Sequence, residues 1–417
     1  MKVAIVSQPF DSVLPPGQNS IGIWSYEVAR RLAAHADVTV LIKALPAVRQ
    51  AGHGSVVQHE DVTYRVVRAL PNRLWAKLGE VVDRRLRRRH PFYASRLYHV
   101  DFALGAAVGL RRGGFDVVHI HNFVSFVPLL RRLNPRAKLV LHMSGEWLSQ
   151  LDRDLVDRRL QQVDTVFGSS DHITGLVRAR FPHHAHKCHT VYNGVDVSAF
   201  APAADRPASD RETIVFVGRI SPEKGVHDLI EAFTILAERR PDARLVLVGP
   251  ADVIPLEFIV GVSDDEEVRR LARFYDQDYL TTLRSLVPAH LQDRVEFTGP
   301  MSHEAVVDRV AGAAVLANPS YSESFGMSLV EAMASEVPVV ATRVGGMKEI
   351  VVDGVTGRLV ERGDVNGLAA ALDEVLDDPD RRRGMGCAGR QRVIERFSWE
   401  VVTAAARERY EQLLASP

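Results

Sequence analysis

The sequence predicts an α/β protein built from two doubly wound, Rossmann-like domains facing a cleft. Three observations carry that expectation. At 417 residues the chain exceeds the size at which one hydrophobic core keeps growing, so two domains of roughly 200 residues are expected. Short β-branched runs recur along its length, several of them separated by amphipathic segments. Around residues 198–212 the periodicity stops, Ala, Pro, Asp and Ser take over, and the strand pattern then restarts.

In the first half the runs are "KVAIVS", "DVTVLIK", "DVVHIH", "KLVLHMS" and "DTVFGSS". They are short and apolar throughout, as parallel strands covered on both faces require. Between the first two, "SIGIWSYEVARRLAAH" sets Ile21, Trp24, Val28 and Leu32 at helical spacing on one face, the pattern of a helix leaning on a sheet. After the break come "TIVFVG", "RLVLVG", "VEFTG", "AVLANPS" and "VPVVAT". The expected organisation is a first domain over 1–197, a linker over 198–212 and a second domain over 213–395, followed by residues 396–417 as a C-terminal helix.

Composition narrows the function classes. Lysine plus arginine and aspartate plus glutamate both number 52, which removes any overall electrostatic case for nucleic acid. A chain with 46% hydrophobic and 25% charged residues reads as an ordinary soluble protein. Cys188 and Cys387 are too few for a disulfide framework and lack metal-ligand spacing. The amino terminus runs directly into a strand and no apolar run has the length of a membrane span, so a cytoplasmic location is expected.

Doubly wound sheets bind ligands just beyond the C-terminal ends of their strands. In "VFVGRISPEKG" a strand is followed by Gly218, Arg219 and Lys224. A planar fork of donors and a mobile point charge suit a diphosphate, although two solvated loop charges are the plain alternative. "AVLANPSYSESFGMSLVEAMA" reads strand, loop, helix. It places the amides of Phe325, Gly326, Met327 and Ser328 at a helix N-terminus, where an anion is welcome. Glu323 precedes that helix and Glu331 lies about one turn inside it. One ligand could span both acids; equally, Glu331 could complement its own helix dipole.

The first loop, "LPPGQNSIG", offers Gly17 but lacks dinucleotide-site spacing. "HIHN" ends a strand with His119 and His121 two residues apart, hence on one sheet face, with a core histidine as the bland rival. "LHMSGEW" adds His142 and Glu146 after the next strand. No metal constellation is expected.

Together, "GRISPEKG", "VYNGVD" and the segment from "NPSYSESFGMSLVEAMASEVPVVATRVGG" to "GRLVERGD" resemble the retaining glycosyltransferases of family 4, which have the GT-B fold. The resemblance is strongest over about residues 190–375, where the E-x7-E spacing of Glu323 and Glu331 is followed by "PVVATRVGG". It implies an N-terminal acceptor-binding domain, a C-terminal donor-binding domain and a terminal helix packing back on the first. The donor would be a nucleoside diphosphate sugar, with UDP as the first candidate carrier, acting as co-substrate without metal or other cofactor. By resemblance, Arg219 and Lys224 hold the diphosphate and stabilise the leaving nucleotide. Glu323 reaches sugar hydroxyls, and the amides at Phe325, Gly326, Met327 and Ser328 touch sugar or phosphate. Glu331 accepts from the ribose diol. His121 is similar to a histidine contacting the donor sugar, and Gly17 and Gly218 to glycines near the phosphates. His142 and Glu146 are expected to line the acceptor side.

The acceptor could be a small molecule, a lipid or a saccharide. "VVDRRLRRRHPFY" clusters arginines over Arg84–Arg89, either a contact for an anionic membrane or the solvated face of a helix. Two departures from the family pattern stand out: Gln18 follows Gly17, and Glu336 replaces a small residue before "PVV". The long stretch Ala251–Arg294 is expected as a solvated surface insertion, with an extra helix or flap as the alternative. A sugar-nucleotide epimerase or hydrolase, and a non-catalytic nucleotide-sugar-binding module, are the alternatives to a transferase.

Overall fold

The computed structural model describes residues 1–43, 56–67, 94–95, 98–202 and 212–415. The basic run Arg84–Arg89 lies outside them. The chain divides into two compact units, Met1–Tyr192 with Trp399–Pro417, and Asn193–Ser398. The passage into the second unit falls at Asn193, ahead of the expected linker. Phe200 is buried there, and its carbonyl accepts from Ser335 Oγ at 3.1 Å.

The first unit holds an eight-stranded sheet in the order β3-β4-β2-β1-β5-β6-β7-β8. Its strands are β1 (Lys2–Val6), β2 (Asp37–Lys43), β3 (Val56–His59), β4 (Val62–Val67), β5 (Val117–His121), β6 (Lys138–Met143), β7 (Thr165–Gly168) and β8 (Cys188–Thr190). All neighbours are parallel except β3 and β4. β1 and β5 are buried along almost their whole length, as sequences without alternation require when both faces are covered. The helix Ser20–Leu32 is started by Asn19, whose Oδ1 accepts from Gly22 N at 2.8 Å. It lays Trp24, Val28 and Leu32 into the core, while Ile21 stays partly exposed. The terminal helix Trp399–Ala415 joins this unit through buried Trp399, Val402, Ala406 and Tyr410, and Arg31 Nε donates to Glu400 at 2.8 Å.

The second unit holds a wholly parallel sheet ordered β11-β10-β9-β12-β13-β14. These strands are β9 (Thr213–Val217), β10 (Arg244–Val248), β11 (Val295–Gly299), β12 (Val315–Asn318), β13 (Val339–Thr342) and β14 (Gly357–Val360). Ile214, Phe216, Leu245 and Leu247 meet Leu229, Ile230, Phe233 and Leu236 of the helix Val226–Ala237 and Leu368, Leu372 and Val375 of the helix Val365–Asp377 in one core. Each such side chain contributes roughly 1.5–3 kcal/mol on leaving water. No described helix is long and apolar enough to cross a membrane.

Candidate active site

From β9 the chain moves outward through β10 and β11, then returns to the other flank of β9 as β12 and continues to β13 and β14. The winding therefore reverses between β9 and β12, the position where doubly wound sheets open a crevice beyond their strand ends. Two predicted loops leave the sheet there, Gly218–Gly225 after β9 and Pro319–Gly326 after β12. They are stitched together: Tyr321 N donates to the Glu223 carbonyl at 2.8 Å. Gly225, at φ +65°, passes so close that a Cβ there would stand 2.2 Å from the Pro319 carbonyl oxygen.

This apposition brings Lys224 onto Glu323. Lys224 Nζ donates to Glu323 Oε2 at 2.7 Å, with both side chains only 17% exposed. Lys224 is therefore not a free solvated loop charge: the neighbouring loop supplies it with a carboxylate. Arg219 is more open, at 35%, and its Nη2 lies 3.6 Å from Glu223 Oε1. Glu223 is buried and accepts from Ser221 Oγ at 2.5 Å, while Arg219 Nε has no hydrogen-bond partner among the described residues. The first loop thus presents a guanidinium, steadied from behind by a buried acid, with donors still uncommitted.

A third strand end fixes Glu323. Gly345, after β13, sits at φ +49° with its Cβ position 1.8 Å from the Glu323 carbonyl oxygen, and Gly346 N donates to that oxygen at 3.1 Å. Only glycine allows this approach, because any side chain would have to occupy the space of the carbonyl.

The helix Met327–Ala334 follows, entered through Gly326 at φ +114° without a side-chain cap. Ser328 is buried, and its Oγ accepts from Asn318 Nδ2 at 3.4 Å. Phe325 is turned into the core, edge-on to Phe397 at 5.7 Å, so only its backbone is available to a ligand. Glu331 is still partly reached by solvent, yet burial pushes its carboxyl up to about 7. It makes no hydrogen bond among the described residues. A crowded, unpartnered carboxylate at the sheet edge is short of donors, which a diol supplies.

In the first unit, the histidines gather in one buried cluster. His119, His121 and His142 are all buried, their rings within 5.2 Å of one another and Trp24 within 4.9 Å of each. β5 and β6 align His121 with His142, and the shared face is the one covered by the helix carrying Trp24. Alternation put the histidines on one face, but which face the helix covers was not in the pattern. His121, expected at the donor sugar, and His142, expected at the acceptor, are thus both buried in this cluster beside Trp24. Burial holds His119 and His121 well below the ordinary imidazole range and His142 near about 3. His119 Nδ1 shares a hydrogen bond with Tyr410 Oη at 2.7 Å, while both ring nitrogens of His121 lack partners. Glu146 is partly exposed and pairs with His172 Nε2 at 2.8 Å. Gly17 is exposed at φ +83° with nothing against it.

Sequence reasoning missed several groups. Asp11 is buried, accepts from Gln8 N, Gln8 Nε2 and Asn19 Nδ2 at 2.8–2.9 Å, and is pushed up to about 6 by burial. Asn122 Nδ2 donates to Gln8 Oε1 at 3.0 Å, extending that network to β5 at the reversal point of the first sheet. Glu223 stands four residues after Arg219 in the quoted motif, a signal that was available.

The stretch Ala251–Arg294 is a chain of short helical turns, exposed over much of its length and anchored at a few buried residues. Val260, Val268 and Leu271 bury themselves with Tyr321, Tyr279 Oη bonds His227 Nδ1 at 2.8 Å, and Arg362 pairs with Asp265 at 2.7 Å. It packs against the Tyr321 loop that carries Glu323.

The sequence matches the model of glycosyl transferases group 1 over residues 199–392 and that of Glycosyltransferase Family 4 over 21–199. A D-inositol 3-phosphate glycosyltransferase of Kribbella flavida is 32% identical over 323 residues, covering 69% of each chain. The chain belongs to glycosyltransferase family 4. This family 4 glycosyltransferase has the GT-B fold. Its structure resembles sucrose-phosphate synthase from Thermosynechococcus elongatus with a TM-score of 0.73 at 24% identity, over the whole of both chains. It also resembles Anabaena HepE in complex with UDP and glucose, with a TM-score of 0.70 at 20% identity, over 99% of this chain and 100% of that one.

Proposed function

We propose that this glycosyltransferase moves a hexose from a nucleoside diphosphate sugar, UDP being the first candidate carrier, to a hydroxyl of a sugar or sugar phosphate, with retention and without a metal. The observation that carries the donor reading is the convergence of Arg219, Lys224, Glu323 and Glu331 on loops and a helix at one sheet reversal. The UDP in the Anabaena structure supports the carrier, and the inositol phosphate relative supports a phosphorylated acceptor. A cytoplasmic location is proposed with it.

In this reading the diphosphate lies against Arg219 and Lys224, and Lys224 stays shared between it and Glu323. As the bond from the anomeric carbon to the diphosphate oxygen breaks, the two cations and the amides following Gly326 meet the charge arriving on phosphate. The acceptor oxygen bonds to the anomeric carbon on the face the nucleotide leaves, and its proton passes to a diphosphate oxygen. Glu323 holds sugar hydroxyls and Glu331 the ribose diol. Catalysis is then mainly positioning and fixed charge, which needs no bound cation.

Turnover of UDP-hexoses with a panel of sugar and sugar phosphate acceptors, with and without a strong chelator, tests this. Acceptor-dependent UDP release that survives the chelator and gives product of the donor's anomeric configuration is expected. Hydrolysis alone, inversion, or loss restored by magnesium or manganese would contradict it.

A further inference from the structure

Outside the donor site, the segment "PHHAHK" forms a helical turn, Pro182–Lys187, against the helix Arg153–Leu160. Two features lock this contact. The helix is started by Asp152, whose side chain accepts from Leu155 N at 2.8 Å. Lys187 Nζ donates to the carbonyls of Leu160 and Val163 at 2.6 and 2.8 Å, satisfying acceptors at the helix end. With both ends held, His183 and His184 face Asp157.

We infer that Asp157, His183 and His184 form a site for a divalent transition-metal cation of the zinc, nickel or cobalt type, clipping the Pro182–Lys187 turn to the helix. His183 Nε2 lies 2.6 Å and His184 Nε2 3.3 Å from the same carboxylate oxygen, Asp157 Oδ1. The two imidazoles are side by side, with ring centres 4.3 Å apart. One atom of each residue falls within 4.8 Å of the others. Zinc bonds of about 2.0–2.1 Å in a tetrahedron put neighbouring ligand atoms roughly 3.3 Å apart. His184 already stands at that spacing. His183, 57% exposed, needs to swing by only about 0.7 Å to join it.

The second observation is His184 itself. Its side chain is 8% exposed, and its Nε2 is buried without a hydrogen bond although it faces the carboxylate. A buried imidazole nitrogen facing an acid without forming a hydrogen bond is poorly satisfied, and a cation between them satisfies both. Gln161 Nε2 donates to the other carboxylate oxygen, Oδ2, at 2.9 Å, orienting it from behind. The open side of His183 leaves room for water as a further ligand. Two imidazoles with one carboxylate select transition metals over magnesium or calcium. The buried trio His119, His121 and His142 is the weaker candidate, because it has no carboxylate and two of its nitrogens already bond each other at 3.2 Å.

Calorimetric titration of the untagged, chelator-treated chain with Zn2+, repeated with Co2+ read by its visible absorption, tests the clip. One equivalent of Zn2+ is expected to bind and raise Tm, and Mg2+ to do neither. His183→Ala and Asp157→Asn, both at exposed or half-buried positions, are expected to weaken uptake at least about tenfold and abolish the Tm gain. No uptake at micromolar Zn2+, or uptake unchanged in both variants, overturns the inference; the latter would place the ion elsewhere.

Discussion

Lys224 Nζ and Glu323 Oε2 lie 2.7 Å apart although 99 residues separate them in sequence. The contact exists because β9 and β12 are sheet neighbours, so the loops at their ends share one edge. In the absence of donor, each charge is the other's counter-ion. In the proposed donor complex Lys224 is shared between the diphosphate and Glu323, which also meets sugar hydroxyls, so the pair would join the two halves of the donor.

Arg219→Ala and Lys224→Ala are each expected to lower kcat/KM by at least about two orders of magnitude, the scale of losing a preorganised charge contact. They should differ in stability. Lys224→Ala strips Glu323 of its partner and is expected to cost about 1 kcal/mol, roughly 2–4 °C in Tm for a unit of this size. Arg219→Ala leaves the buried Glu223 carboxylate without its cation and should lower Tm by more. Near-normal turnover in either variant would remove that residue from the diphosphate.

Gly345→Ala tests how Glu323 is held. The new methyl would meet the Glu323 carbonyl oxygen at 1.8 Å, which the backbone cannot absorb without moving the loop. Activity should fall more than tenfold and Tm should drop, whereas Gly354→Ala, with an open Cβ position, pays only its own φ strain. Equal behaviour of the two variants would show that the loop tolerates displacement.

Much of this was legible. Apolar runs marked the strands because parallel strands are buried on both faces, and the loop motifs marked the β9 and β12 loops that meet at the sheet reversal because charges and glycines cluster where strands end. What stayed hidden depends on contacts distant in sequence. The pairing of Lys224 with Glu323 needed the order of strands. The close approach of Gly345 needed the path of a third loop. The burial of His121 and His142 needed the position of Trp24, since alternation fixes a shared face but not what covers it. The Ala251–Arg294 stretch looked solvated because its charges are dense, while its few apolar residues find Tyr321 only in three dimensions.

The buried histidines carry a pH signature. Above about pH 7 they are neutral in both folded and unfolded chains and stability is unaffected. As pH falls through the unfolded value near 6.5, the unfolded chain takes up protons that the cluster refuses, down to about 3 for His142. Each histidine then costs up to about 1.4 kcal/mol per pH unit. Glu331 and Asp11, whose carboxyls are raised, act oppositely, their contribution being present in acid and lost as pH rises towards their folded values near 7 and 6. His121→Leu should therefore flatten the fall of Tm between pH 7 and 5; an unaltered slope would deny the cluster its part.

Glu331 gives a second pH dependence, in binding. Its carboxyl, lifted to about 7 by burial, accepts from both ribose hydroxyls only when ionised. UDP affinity should rise with pH through that value in the wild type. A Glu331→Gln variant should lack that component, and identical pH profiles for the two proteins would contradict it.

Calorimetric titration of free UDP at pH 8 into wild type, Glu331→Gln and Glu323→Gln tests the division of labour between the two acids most directly. Glu331→Gln should lose roughly 1.5–3 kcal/mol of affinity, the scale of hydrogen bonds to a charged group. Glu323→Gln should bind this sugarless product as tightly as wild type or more so, because Lys224 is released to the diphosphate, while its kcat for transfer falls. Equal losses in both variants, or no loss in Glu331→Gln, would contradict the assignment of Glu331 to ribose and Glu323 to sugar.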